Sequence, residues 1–94
     1  MLKKLDPLLH SELRLAIMSL LISVNRADFK YLKEETESTA GNLSVQLTKL
    51  EEAGYIKVKK GFKGKMPHTT CTITEKGTKA FENYVNHLKD YLKL

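Results

Sequence analysis

The spacing of apolar residues changes twice along this chain, and those changes restrict the folds open to it. From Leu13 to Leu50 apolar side chains recur at intervals of three and four, the repeat of a helix face. Around Tyr55, Ile56 and Val58, and again across Thr70 to Thr74, they alternate as in a strand, and from Phe81 to Leu92 the helical spacing returns. A helical block, one hairpin and a closing helix fill the 94 residues, which leaves room for a single domain over 1–94 and no second core. The longest apolar stretch, Ala16 to Val24, is interrupted by Ser19 and Ser23 and falls short of the roughly 18 to 20 apolar residues that a bilayer requires. Asp6, Pro7, His10 and Glu12 occupy the place of a secretory apolar segment, and a lone cysteine, Cys71, fits a reducing compartment, so a cytoplasmic location is expected.

The first helix is expected from about Pro7 or His10 to Ser23, with Ser11 and Glu12 as a later alternative start, and Leu13, Ile17, Leu20, Leu21 and Val24 on its apolar side. Asn25, Arg26 and Ala27 read as a turn. Asp28 caps a short helix that ends near Thr36, with Phe29, Leu32 and Tyr31 inward and Glu34, Glu35 and Glu37 as a solvated face. A third helix starts on Ser38 or Thr39, carries the narrow stripe Leu43, Leu47 and Leu50, and stops at Gly54. Gly61, Gly64 and Pro67 punctuate the hairpin and predict a long, mobile tip. The last helix, from Glu75 to about Leu92, gathers Phe81, Tyr84, Val85, Leu88, Tyr91 and Leu92 on one broad face.

Charge is concentrated in the hairpin. Residues 1–54 sum to −1 and residues 75–94 to +1, whereas 55–74 carry Lys57, Lys59, Lys60, Lys63 and Lys65 with no acid, for +5. Such a block suits a polyanion, although lysines also keep an exposed sheet edge soluble. The order of elements separates these readings. Three helices, a hairpin and a long helix make a mostly helical α+β domain of the winged helix-turn-helix type. In that architecture the third helix, about 39–53, enters the major groove and the wing, 57–68, reaches flanking phosphates. Turned away from the leucine stripe are Asn42, Val45 and Lys49, with Gln46 and Thr48 beside them. Asn and Gln can bond adenine in bidentate fashion, a Val methyl can touch thymine, and Lys can address guanine or phosphate.

The stretches from Leu5 to Ile17, from Asp28 to Leu32 and from Gly41 to Ile56, with Thr72-Ile73-Thr74-Glu75-Lys76-Gly77 at the end of the hairpin, resemble the compact winged-helix transcriptional regulators related to the MarR and ArsR groups. The resemblance covers nearly the whole chain. It implies a homodimeric, sequence-specific binder of double-stranded DNA, with Thr39, Gly41, Asn42, Ser44, Val45, Gln46, Thr48 and Lys49 on the recognition helix. Lys60, Lys63, Lys65 and His68 follow as wing contacts. Gly41 either lets a phosphate approach the helix N-terminus or serves a tight helix contact. Phe62 can tuck under the wing, pack on a sugar or base edge, or lie exposed, and packing is the favoured expectation.

The closing helix carries more apolar surface than so small a domain is expected to cover. Residues 75–94 and 1–12 are therefore expected to dimerise through Leu5, Leu9, Tyr84, Leu88, Tyr91 and Leu92, unless the N-terminal leucines simply cover the last helix of their own chain. His68 and Cys71 are spaced H-x-x-C, but two ligands make no zinc site, so neither metal nor cofactor is expected. Cys71 as a redox switch is weighed against an inert core thiol, which is the usual state of a lone strand cysteine. No catalytic fingerprint is present, and an enzyme is not expected. The competing readings are a winged-helix protein-interaction module and a non-specific architectural DNA binder; attachment to a membrane surface is weaker, because the lysines lie on a hairpin.

Overall fold

The computed structural model describes residues 1–94. Its elements run α1 (Glu12–Val24), β1 (Arg26–Asp28), α2 (Phe29–Thr36), α3 (Ala40–Glu52), β2 (Ile56–Lys63), β3 (Met66–Ile73) and α4 (Glu75–Leu92). The strands form one antiparallel sheet in the order β1-β3-β2. This is the winged-helix architecture expected from the order of periodicities. Its core joins Ile17, Met18 and Leu21 of α1, Leu32 of α2, Leu43, Leu47 and Leu50 of α3, and Ile56, Cys71 and Ile73 of the sheet. The leucine stripe of α3 is wholly committed to that core.

Capping chemistry fixes the helix limits. The side chains of Asp28, Thr39 and Thr74 accept from the backbone N–H groups of Tyr31, Asn42 and Gly77, each satisfying an otherwise orphaned donor. At the far end of α3, Gly54 adopts φ +80°, with Gly54 N–H donating to the Glu51 carbonyl and Tyr55 N–H to that of Leu50. This pair of bonds is a Schellman stop, and it turns the chain directly into β2.

Several details refine or correct the sequence expectation. Helix α1 begins at Glu12, the later of the expected starts; Pro7 to His10 form a separate turn, closed by Leu9 and His10 N–H on the Asp6 carbonyl and by Leu8 N–H on Asp6 Oδ1 at 2.9 Å. That turn inserts Leu9 into the core, while Val24 at the other end of α1 is exposed. Arg26 to Asp28 form a strand instead of a turn, because Asn25, at φ 69°, reverses the chain and sets Ala27 opposite Cys71. A three-residue strand has no periodicity of its own to reveal it.

The wing also differs. Its strands run to Lys63 and from Met66, joined by the two-residue turn Gly64–Lys65 with Gly64 at φ +64°, so the tip is short and Gly61 lies within β2. Pro67 is tolerated because β1 pairs only with Thr70 to Thr72, leaving β3 an edge strand farther out.

The N-terminal segment runs along α4 of its own chain. His10 Nδ1 lies 3.0 Å from the Tyr84 hydroxyl, and Tyr91 Oη donates to the Lys3 carbonyl at 2.8 Å. Leu9 and Tyr84, expected in a dimer contact, are thus core residues, at 0% and 4% exposure. Leu5 and Leu88 are half-buried, while Tyr91 and Leu92 remain exposed. No helix is long and apolar enough to cross a membrane.

Candidate nucleic-acid interface

Helix α3 buries Leu43, Leu47 and Leu50, so the 3.6-residue repeat determines what it shows to solvent. Thr39, Gly41, Asn42, Ser44, Val45, Thr48 and Lys49 are exposed, and Gln46 is half-buried at the side nearest α1. A Cβ at Gly41 would meet nothing within 4 Å, which removes the alternative of a tight helix contact. Thr48 Oγ1 donates to the Ser44 carbonyl at 3.0 Å, leaving that hydroxyl its lone pairs.

The wing stands beside this face. A cleft of about 460 Å³ lies between α3 and the sheet, with Ser44, Thr48 and Glu51 on one wall and Lys60, His68 and Thr69 on the other. Lys30 of α2, a residue not singled out in the sequence, lines it too. Lys63 and Lys65 lie beyond the cleft at the wing tip. None of the wing lysines is in an ion pair, since the only one in the molecule joins Lys79 to Glu75 at 3.3 Å on the surface of α4. The five lysines of the hairpin thus make no ion pair, although Glu51 and Asp28 line the same cleft as Lys60.

Two side chains contradict their expected roles. Phe62 does not pack: it is 76% exposed, and its cross-strand neighbour Pro67 is exposed as well, because β2 has already left the core at Lys59. Gln46 is not a free reader of adenine. Its Oε1 accepts a hydrogen bond from Arg14 Nη1, and its Nε2 donates to Asn42 Oδ1 at 3.0 Å. Arg14 in turn donates from Nε to the Leu8 carbonyl at 2.6 Å. This residue was missed because 32 positions separate it from Gln46, and a lone arginine in an amphipathic helix gives no sign of where its guanidinium will reach.

Cys71 lies toward the inner end of the central strand β3, between Ala27 of β1 and Val58 of β2, and is fully buried. Burial, with Glu51 adding to it, raises its pKa to about 11, so the side chain is a protonated thiol at neutral pH. A buried thiol of this kind is a poor redox sensor. His68 is half-exposed on the wing and Cys71 is buried, three residues apart on the same strand and so on opposite faces of the sheet.

The sequence profile of a winged helix DNA-binding domain matches residues 13–92. A relative from Methanocaldococcus jannaschii, an uncharacterized protein, is 43% identical over 77 residues, 81% of this chain and 83% of that protein. Among solved structures, a transcriptional regulator homologue from Pyrococcus horikoshii OT3 superposes with a TM-score of 0.85 at 28% identity, covering 92% of this chain and 85% of the other. A MarR-family transcriptional regulator from Silicibacter pomeroyi shares the fold at a TM-score of 0.69 and 14% identity, over 88% of this chain and 55% of its own.

Proposed function

Since the chain belongs to the winged helix DNA-binding domain family, we propose that it is a transcriptional regulator that binds specific double-stranded DNA sequences as a homodimer. The carrying observation is the cleft between α3 and the wing, where Ser44 and Thr48 of α3 stand opposite Lys60 and His68 of the hairpin, with Asn42, Val45 and Lys49 exposed on the same helix and no wing lysine in an ion pair. Asn42, Val45 and Lys49 address base edges in the major groove, with Thr39, Ser44 and Thr48 beside them. The open N-terminus of α3 at Gly41 faces a backbone phosphate, and Lys60, Lys63, Lys65 and His68 follow the flanking strand. Contacts of the second kind release counterions and make binding salt-dependent.

The dimer is assigned to the outer end of α4. Tyr91, Leu92 and the last residue, Leu94, are 41%, 58% and 86% exposed, and Leu2 beside them is 54% exposed. Pairing these patches about a two-fold axis gives an isologous interface, and two α3 helices then meet a palindromic site.

The test is selection from a randomised duplex pool at two salt concentrations, with the mass of the protein measured in solution. A dimer that enriches a palindrome supports the reading. Salt-sensitive binding without enrichment supports an architectural binder instead, and absence of binding supports a protein-interaction module. Lys63→Ala is expected to weaken binding to all sequences and lower the salt slope by about one, while Asn42→Ala changes which sequences are preferred.

A further inference from the structure

The hydrogen bonds behind α3 bear on which base it reads, an inference that rests on the major-groove reading above. A guanidinium only donates, so Arg14 accepts no orientation of the Gln46 amide except one with Oε1 toward Nη1. The amide nitrogen must then point away from Arg14, and it meets Asn42 one turn earlier. Asn42 consequently turns Oδ1 toward Gln46 Nε2. Each carbonyl oxygen has one of its two lone pairs engaged, that of Gln46 by Arg14 of α1 and that of Asn42 by Gln46, and the hydrogens left over are one on Gln46 Nε2 and two on Asn42 Nδ2. Val45 and Lys49 add an apolar group and a further donor, so the middle of the exposed face of α3 is weighted toward donors, with each amide oxygen already turned toward a protein partner.

We propose that Arg14 is a specificity-setting residue that makes the Asn42–Gln46 pair a donor-biased reader, and that the base it selects is guanine. Guanine presents two adjacent acceptors, N7 and O6, in the major groove. Adenine pairs its N7 acceptor with the N6 donor and needs an oxygen opposite, which an unconstrained Asn or Gln turns to the base and this pair turns to its protein partners. Cytosine presents only the N4 donor. Arg14 also ties its guanidinium to the Leu8 carbonyl, so the chain segment that packs against α4 holds the arginine in place.

The experiment compares sequences selected from a random duplex pool by the wild-type protein, Arg14→Ala and Gln46→Met, with thermal melting of each protein and binding to the wild-type site measured across salt. The wild type is expected to select guanine at one position in each half-site. Gln46→Met erases that preference alone. Arg14→Ala frees the amide to turn, and adenine rises at the same position by about ten-fold relative to guanine while the other positions are kept. If Arg14→Ala is too unstable to assay, Arg14→Lys, which cannot span the Leu8 carbonyl and Gln46 together, is expected to show the same shift in weaker form. An unchanged selection with uniformly weaker binding and a shallower salt slope would show Arg14 to be a phosphate contact and overturn the proposal. So would a wild-type site with adenine or cytosine at the position that Gln46→Met relaxes. A wild type that enriches no sequence overturns the sequence-specific reading itself, and the base assignment with it.

Discussion

Helix α3 and the outer half of the wing border the same cleft, yet they are held in place by different means. Helix α3 is locked by three buried leucines, by the Thr39 cap and by the Gly54 stop, so its roll about its own axis is decided by the core. From Lys59 to Pro67 every residue of the wing is exposed, and cross-strand pairing with a two-residue turn is all that shapes it. The helix thus presents a fixed set of side chains, as base reading requires. The wing supplies charge on a locally determined frame, which suffices for phosphates. Substitutions near α3 and its supports should register in the stability of the whole domain, and those on the outer wing in binding alone.

The strongest test of that division is Gly77→Ala. Gly77 lies in α4, where alanine is intrinsically the better helix former by about 1 kcal/mol. A Cβ there would fall 2.1 Å from the Tyr55 carbonyl oxygen, at the junction where α3 hands over to β2. We expect a loss of about 3 kcal/mol, read as a fall in Tm of roughly 15 °C in thermal unfolding. A variant as stable as the wild type would mean that α4 is not docked as described.

Next comes alkaline pH. The Cys71 thiol has its pKa raised from 9.0 to about 11 in the fold, so the unfolded chain loses this proton first. Stability from this group is therefore complete below pH 9 and falls as the pH rises toward 11, by on the order of 2 kcal/mol. Tyr55, raised to about 12 by burial and by its hydrogen bond to Asp6, acts in the same direction at higher pH. Denaturant unfolding at pH 8 and pH 10.5 should show a larger loss for the wild type than for Cys71→Val.

Gly54→Ala places a side chain at φ +80° and is expected to cost about 1 kcal/mol by the same assay, because there is room for the Cβ and only the backbone conformation resists it. The smallest effect belongs to Phe62→Ala, expected within about 0.5 kcal/mol of the wild type in chemical denaturation, because so exposed a ring contributes little to the core. A large loss there would show the wing tip to be part of the folding unit and dissolve the contrast between the two regions.

Most of the candidate interface was legible from sequence because periodicity encodes which side chains of α3 are exposed. Once Leu43, Leu47 and Leu50 face inward, the exposure of Asn42, Val45 and Lys49 follows from helix geometry alone. Thr39, Asp28 and Gly54 announced their caps because capping is local chemistry. Strand β1 was not legible, since its only reason to be extended is the pairing of Arg26, Ala27 and Asp28 with the distant Thr72, Cys71 and Thr70. Nor was the fate of Phe62: an aromatic in an alternating strand looks inward-facing, and only the end of the core at Lys59 leaves it bare.

Local sequence specified the four helices and the hairpin in their order, the buried stripe of α3 and the position of the basic wing, because these depend on residues within a few positions of one another. Tertiary structure alone decided that Leu9 and Tyr84 belong to the core of their own chain, that a helical glycine at 77 is required by a carbonyl of Tyr55, and that Arg14 orients the Gln46 amide. Each of these depends on two groups far apart in sequence meeting at a distance of a few ångströms, and no local pattern specifies such a meeting before the core has brought them together.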